Sequence, residues 1–111
     1  MLKFIEREVK CYKLVGLKYY SHGGIREGDA VDLHLEPDNE YDKNAVGVWW
    51  RDYAGDMQQI GYIKRAQNED LLERMSKYDH TYACIAHIFN FDKPSTLIIV
   101  RVFFCDMRDE A

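Results

Sequence analysis

Hydrophobic and polar positions follow two different periods along this chain. Residues 30–36 alternate: Val31, Leu33 and Leu35 on one side, Asp32, His34 and Glu36 on the other. That period of two predicts a half-buried strand. Residues 8–20 are rich in β-branched and aromatic side chains and predict a first strand. Residues 44–51 and 59–64 predict a third and a fourth. The loops between them are marked by Gly23, Gly24 and Gly28 over residues 21–29, by a turn at 37–41, and by the polar stretch 52–57. The period then changes. Leu71, Leu72, Met75 and Tyr78 recur at helical spacing, predicting a helix over 69–78 with Asn68 as N-cap and Glu69 and Asp70 in its first turn. Residues 81–91 and 96–105, around Asp92-Lys-Pro-Ser, predict a hairpin. The charged tail from Asp106 is expected to fray.

Together these elements predict a mostly β (α+β) fold: a small OB-like β-barrel of five to six strands, with one or two helices and a helix plugging one open end. No repeat, low-complexity tract or linker interrupts the chain, so residues 1–111 are expected to form one domain. Of the adjacent Trp49 and Trp50, one should face the core and the other should be exposed or covered by the following loop.

The net charge of -4 excludes a broad basic surface of the kind that coats a duplex. Any nucleic-acid binding must therefore come from a local pocket. Cys11, Cys84 and Cys105 are far apart and form no C-x-x-C pair, which argues against zinc. Asp29, Asp32 and Asp42 are not gathered by any pattern that would hold a divalent metal. No phosphate-loop, nucleophile-elbow or zincin motif occurs, so neither an enzyme nor a cofactor is expected. The first eight residues carry charges where a signal peptide needs an apolar stretch. No run approaches the length of a membrane span, so a reducing cytoplasm is the expected setting.

Three segments carry a resemblance: Val15-Gly-Leu-Lys-Tyr-Tyr-Ser21, Leu35-Glu-Pro-Asp-Asn-Glu-Tyr-Asp-Lys-Asn-Ala-Val46 and Ile60-Gly-Tyr-Ile-Lys-Arg65. In this order they resemble the HIRAN domain family over roughly residues 9–105. This module accompanies fork-remodelling ATPases and also occurs as small bacterial proteins. The resemblance implies a DNA-binding module that recognises the 3′ end of single-stranded DNA, tied to DNA repair or fork processing. Its site would comprise Lys18, Tyr19, Tyr20, Asn39, Tyr41, Asp42, Tyr62 and Arg65. Tyr19 and Tyr41 would stack on terminal bases, Asp42 would meet the 3′-hydroxyl, and Asn39 would help hold the strand end. A separate helicase or nuclease would be the partner, since the chain has no motor of its own. The alternative function is a protein-interaction module that docks a peptide or enzyme through the same aromatics.

Physical chemistry supports these roles. Aromatic rings stack on bases regardless of sequence, worth ~1–3 kcal/mol per base. A carboxylate accepts a hydrogen bond from a sugar hydroxyl but repels a phosphate. Lys18 and Arg65 would hold the backbone. Asp42 and Asn44 have a plainer reading, an Asx-turn capping the third strand. The sequence also departs from the family pattern. Lys18 replaces the usual Arg, Tyr62 replaces the His of the fork-remodelling members, and Phe89 and Phe91 are both candidates for an aromatic on the later hairpin. Tyr19, Tyr41 and Asp42 are expected to converge on one concave site, with Lys18 or Arg65 at its edge.

Overall fold

The computed structural model describes residues 1–16, 24–91 and 93–109. Among the described residues, six strands and one helix follow as β1 (Leu2–Val15), β2 (Ala30–Leu35), β3 (Val46–Arg51), β4 (Met57–Ile63), α1 (Arg65–Lys77), β5 (His80–Phe89) and β6 (Leu97–Asp109). All pairings are antiparallel, and the strands close a barrel in the order β1-β4-β3-β2-β5-β6. The mostly β, barrel-like class is thus the one the alternation predicts.

Alternation decides what lies inside. In β6, Ile98, Val100, Val102 and Phe104 are buried while the residues between them face outward. In β1, Tyr12 and Leu14 point in, and Ala83 and Ile85 do so from β5. Register shifts between Glu6 and Glu8, between Ile85 and His87, and between Val48 and Trp49 mark bulges. Bulges bend strands and raise their twist, which helps six strands curl into a closed barrel.

Among the described residues, β1 meets β4 at Leu14↔Ile63 and Val15↔Tyr62, and β2 meets β5 at Ala30↔Cys84 and Val31↔Ala83. At the first seam Gly61 is required by a close approach. A Cβ there would lie 2.5 Å from the Val15 carbonyl oxygen. Past that seam α1 takes over beside β1. Gln67 accepts from the Lys13 N–H, Asp70 accepts from the Tyr12 hydroxyl, and Arg74 pairs with Glu8, which also accepts from Tyr78. Burial and the Asp70 carboxylate together push the Tyr12 hydroxyl well above its ordinary pKa, so Tyr12 remains the donor. Leu71 is fully buried, and Met75 reaches the gap between β2 and β5.

Several boundaries differ from the sequence expectation, each for a physical reason. The helix starts at Arg65, not 69, so Asn68 is an interior, buried residue rather than an N-cap. Lys64 occupies the cap without a side-chain bond, and the first turn holds no acid. The tail does not fray through Asp109. Residues 106–109 of β6 pair with Leu2–Ile5 of β1, because each strand supplies the other's partner across the ribbon. That also moves the start of β1 back to Leu2. Leu35, the last residue of β2, is exposed rather than buried although its partner Val46 is fully buried. Trp50 is the core tryptophan, donating to Asp29, while Trp49 is covered by stacking on His34 at 5.3 Å rather than by the following loop.

Leu71 fills the barrel mouth completely. Leu71→Ala should therefore destabilise by about 2–5 kcal/mol, measured by urea unfolding. A loss below about 1 kcal/mol would mean that the helix is peripheral to the core.

Candidate functional site

The loop between β2 and β3 is built by short-range hydrogen bonds its own sequence supplies. Asn39 Oδ1 accepts from the backbone N–H groups of Tyr41 (2.9 Å) and Asp42 (3.0 Å), and its amide donates to Glu36 Oε1 at 3.0 Å. Glu36 N–H to the Ala45 carbonyl closes the base of the loop. Such side-chain-to-backbone bonds are what Asn and Asp offer in turns. They leave the Tyr41 ring projecting, 83% exposed.

Asp42 is more tightly held. Its Oδ1 accepts the Asn44 backbone N–H at 3.0 Å, the predicted Asx-turn. Its Oδ2 accepts the amide of Asn68 at 2.8 Å, and Arg65 Nε lies 3.7 Å away. The Asn44 N–H holds the carboxyl below the usual aspartate range. Partial burial opposes this, while the Asn68 amide and the Arg65 guanidinium add to it. The group is therefore a carboxylate at neutral pH. Arg65, with 81% of its side chain exposed, keeps most of its donors free to face outward.

These residues meet in one pocket. Asn39, Tyr41, Asp42, Tyr62, Arg65 and Asn68 line a hollow of about 430 Å³, whose apolar wall is Val15, Ala45 and Ile63. Tyr62 donates to Glu36 Oε1 at 3.0 Å, so Glu36 ties the β4 wall to the loop. Of the expected convergence of Tyr19, Tyr41 and Asp42 with Lys18 or Arg65 at its edge, the structure brings together Tyr41, Asp42 and Arg65. Lys18, Tyr19 and Tyr20 lie outside the described residues. The strand before them ends at Val15, on the pocket wall. Phe89 pairs with Leu97, one rung beyond the Leu14↔Ile98 pair, which puts this exposed ring at the same end of the barrel.

Two assignments shift. Both polar ends of Asn39 are engaged within the loop, so it positions Tyr41 and Asp42. The hydroxyl of Tyr62 likewise braces Glu36. Two residues were missed: Glu36, the shared acceptor, and Asn68, 2% exposed. A signal for Asn68 exists in the sequence. Positions 68, 71, 72 and 75 form one helical stripe, so a polar residue on it must find a buried partner. A second hollow of about 370 Å³ lies between β2 and β5, lined by His34, Met75, His80 and Tyr82, and holds none of the expected residues. Among the described residues, no group of His, Cys, Asp and Glu side chains could hold a metal, and no helix is long and apolar enough to cross a membrane.

Known proteins resemble this chain in sequence and in fold. A family model described as HIRAN domain matches residues 11–101. Helicase-like transcription factor from Mus musculus is 43% identical over 53 residues, covering 48% of this chain and 5% of the relative. That from Oryctolagus cuniculus is 42% identical over 52 residues, again 5% of its length. The matched part thus spans about a twentieth of these relatives. The crystal structure of the HIRAN domain of human HLTF superposes with a TM-score of 0.68 at 25% identity, over 93% of this chain and 80% of that one. A crystal structure of a Lactobacillus plantarum protein superposes at 0.61 with 24% identity, over 93% of this chain and 99% of that one, a likeness of fold.

The hydrogen bonds predict a titration. A lowered carboxyl pKa contributes stability above the ordinary aspartate value of about 3.9, and this is lost as pH falls through the lowered value. Asn68→Leu removes one donor at similar volume. It should move the Asp42 carboxyl upward in a ¹³C NMR titration. An unmoved Asp42 would show that the Asn68 amide does not hold it.

Proposed function

Because the chain belongs to the HIRAN domain family, we propose that its pocket binds nucleic acid, and specifically the 3′ end of single-stranded DNA. The observation that carries this reading is the juxtaposition of an outward aromatic ring, a fixed carboxylate and an exposed guanidinium around one hollow. Tyr41 offers a face to the terminal base. Arg65, at the rim, takes a backbone phosphate. Asp42 already accepts one bond on each oxygen, and each carboxylate oxygen can accept another. A terminal 3′-hydroxyl donates there; a 3′-phosphate brings a second negative charge into the same small space. The apolar wall of Val15, Ala45 and Ile63 lowers the local dielectric, which strengthens both the attraction and the repulsion.

In this reading the chain is a binding module, and the groups of the pocket position an end without reacting with it. Chemistry on the DNA falls to a separate helicase or nuclease, in a setting of repair or fork processing. The name of the relatives, helicase-like transcription factor, supports the link to a helicase-like protein.

The test is fluorescence anisotropy with single-stranded oligonucleotides. A 3′-hydroxyl end should bind more tightly than a 3′-phosphate end, and a 5′-phosphate should change little. Tyr41→Ala should weaken binding by ~1–3 kcal/mol with little dependence on base sequence. With one to three phosphates held, the log–log salt slope should lie near about −1 to −2. Equal affinity for both 3′ ends, or a steep slope, would refute end recognition.

A further inference from the structure

The outer face of β1, β6 and β5 lies away from the pocket and carries an unmatched charge. Ile99, Arg101 and Phe103 of β6 point outward between the buried Ile98, Val100, Val102 and Phe104. Across the strands Arg101 faces Cys11 on β1 and Cys84 on β5, two free thiols. The next row is Val9, Phe103 and Tyr82, apolar and aromatic. The row on the other side is Lys13, Ile99 and His87, which adds the cation of Lys13 and no acid. No carboxylate occupies any of the eight positions around Arg101. The nearby Glu27 is already engaged by the Ile88 N–H and by His87. Arg101 is partly buried and, among the described residues, joins no ion pair. A half-covered guanidinium without an acid is costly in isolation and ready for one from outside.

Its aromatic neighbours are arranged for contact. Tyr82 stacks on Phe103 at 4.8 Å and 11°, while Phe4 stacks on His80 at 4.6 Å in the rows beyond. Tyr82 and Val9 are 47% and 40% exposed. An arginine set among aromatic and aliphatic groups is the composition of an interface hot spot.

We infer that this face docks a segment of another protein that presents a carboxylate flanked by apolar or aromatic side chains. The carboxylate pairs with Arg101, and the flanking groups cover Phe103, Tyr82 and Val9. Charge argues for this occupant over the others. A nucleic-acid strand would bring a run of phosphates to just two cations, Arg101 and Lys13, on a face otherwise apolar, with Glu6 two rows from Arg101. A second copy related by a two-fold axis at the centre of the face would set Arg101 against its own mate.

The test selects phage-displayed random dodecapeptides on the whole chain. Enriched peptides should share an Asp or Glu between aromatic or aliphatic residues. A labelled synthetic copy should bind the wild type, lose roughly tenfold or more in affinity on Arg101→Glu, and lose affinity on the milder Arg101→Gln. It should shield Cys11 from alkylation and ignore Tyr41→Ala. Oligonucleotide binding should be unchanged by Arg101→Glu, which separates this face from the pocket. The proposal is overturned by no enrichment, by peptides lacking acids, or by peptide binding indifferent to both Arg101 variants. Loss of oligonucleotide binding on Arg101→Glu would assign the face to nucleic acid. A dimer of the wild type that Arg101→Glu dissolves would assign it to a second copy.

Discussion

The hydrogen bond from the buried amide of Asn68 to Asp42 is the contact on which the pocket depends. It joins the one helix to the loop between β2 and β3, and it does so at the carboxylate. Asn68 sits on the apolar stripe of the helix with Leu71, so the barrel core fixes where its amide points. A buried amide without an acceptor would be heavily penalised, and Asp42 is the acceptor it has. The geometry of an exposed loop is in this way set by the packing of the core. Asn39 and Glu36 continue the same chain of bonds outward to Tyr41 and Tyr62.

The β1–β4 seam and the helix place the site at this end. Val15 and Tyr62 pair at the end of the described seam and both line the pocket, and the helix begins two residues after β4 ends. Gly61 lets the two backbones approach at that point, and Gly47 plays a similar part beneath Glu36. A Cβ on Gly47 would come within 2.7 Å of Glu36 Oε2. Gly61 thus sets a backbone approach that a Cβ would block, while at Gly47 a Cβ would displace the Glu36 carboxylate that braces the pocket.

Much of this was readable in the chain. Alternation in residues 30–36 and the β-rich runs of the 81–105 hairpin reported the barrel wall, and the Asn-x-Tyr-Asp segment reported a structured loop with a projecting ring. What was hidden was long-range. The pairing of residues 106–109 with the first residues of β1 depends on a partner a hundred positions away, and charged ends give no local sign of it. Asn68 was misread because a polar residue ahead of an apolar run also fits a cap. Only the position of β4 makes the helix begin earlier and turns that residue inward. The half-buried state of Arg101 and its lack of an acid likewise emerge only once three strands are in register.

The central claim is that the carboxylate of Asp42 reads a terminal hydroxyl. A double cycle tests it most directly: affinities of the wild type and of Asp42→Asn for otherwise identical single strands ending in 3′-hydroxyl or 3′-deoxy. The wild type should favour the hydroxyl end, and Asp42→Asn should reduce that preference, giving a coupling of about 1.5–3 kcal/mol, the range for hydrogen bonds to charged groups. A preference that is the same in both proteins would contradict the claim and leave Asp42 as a turn-forming residue alone.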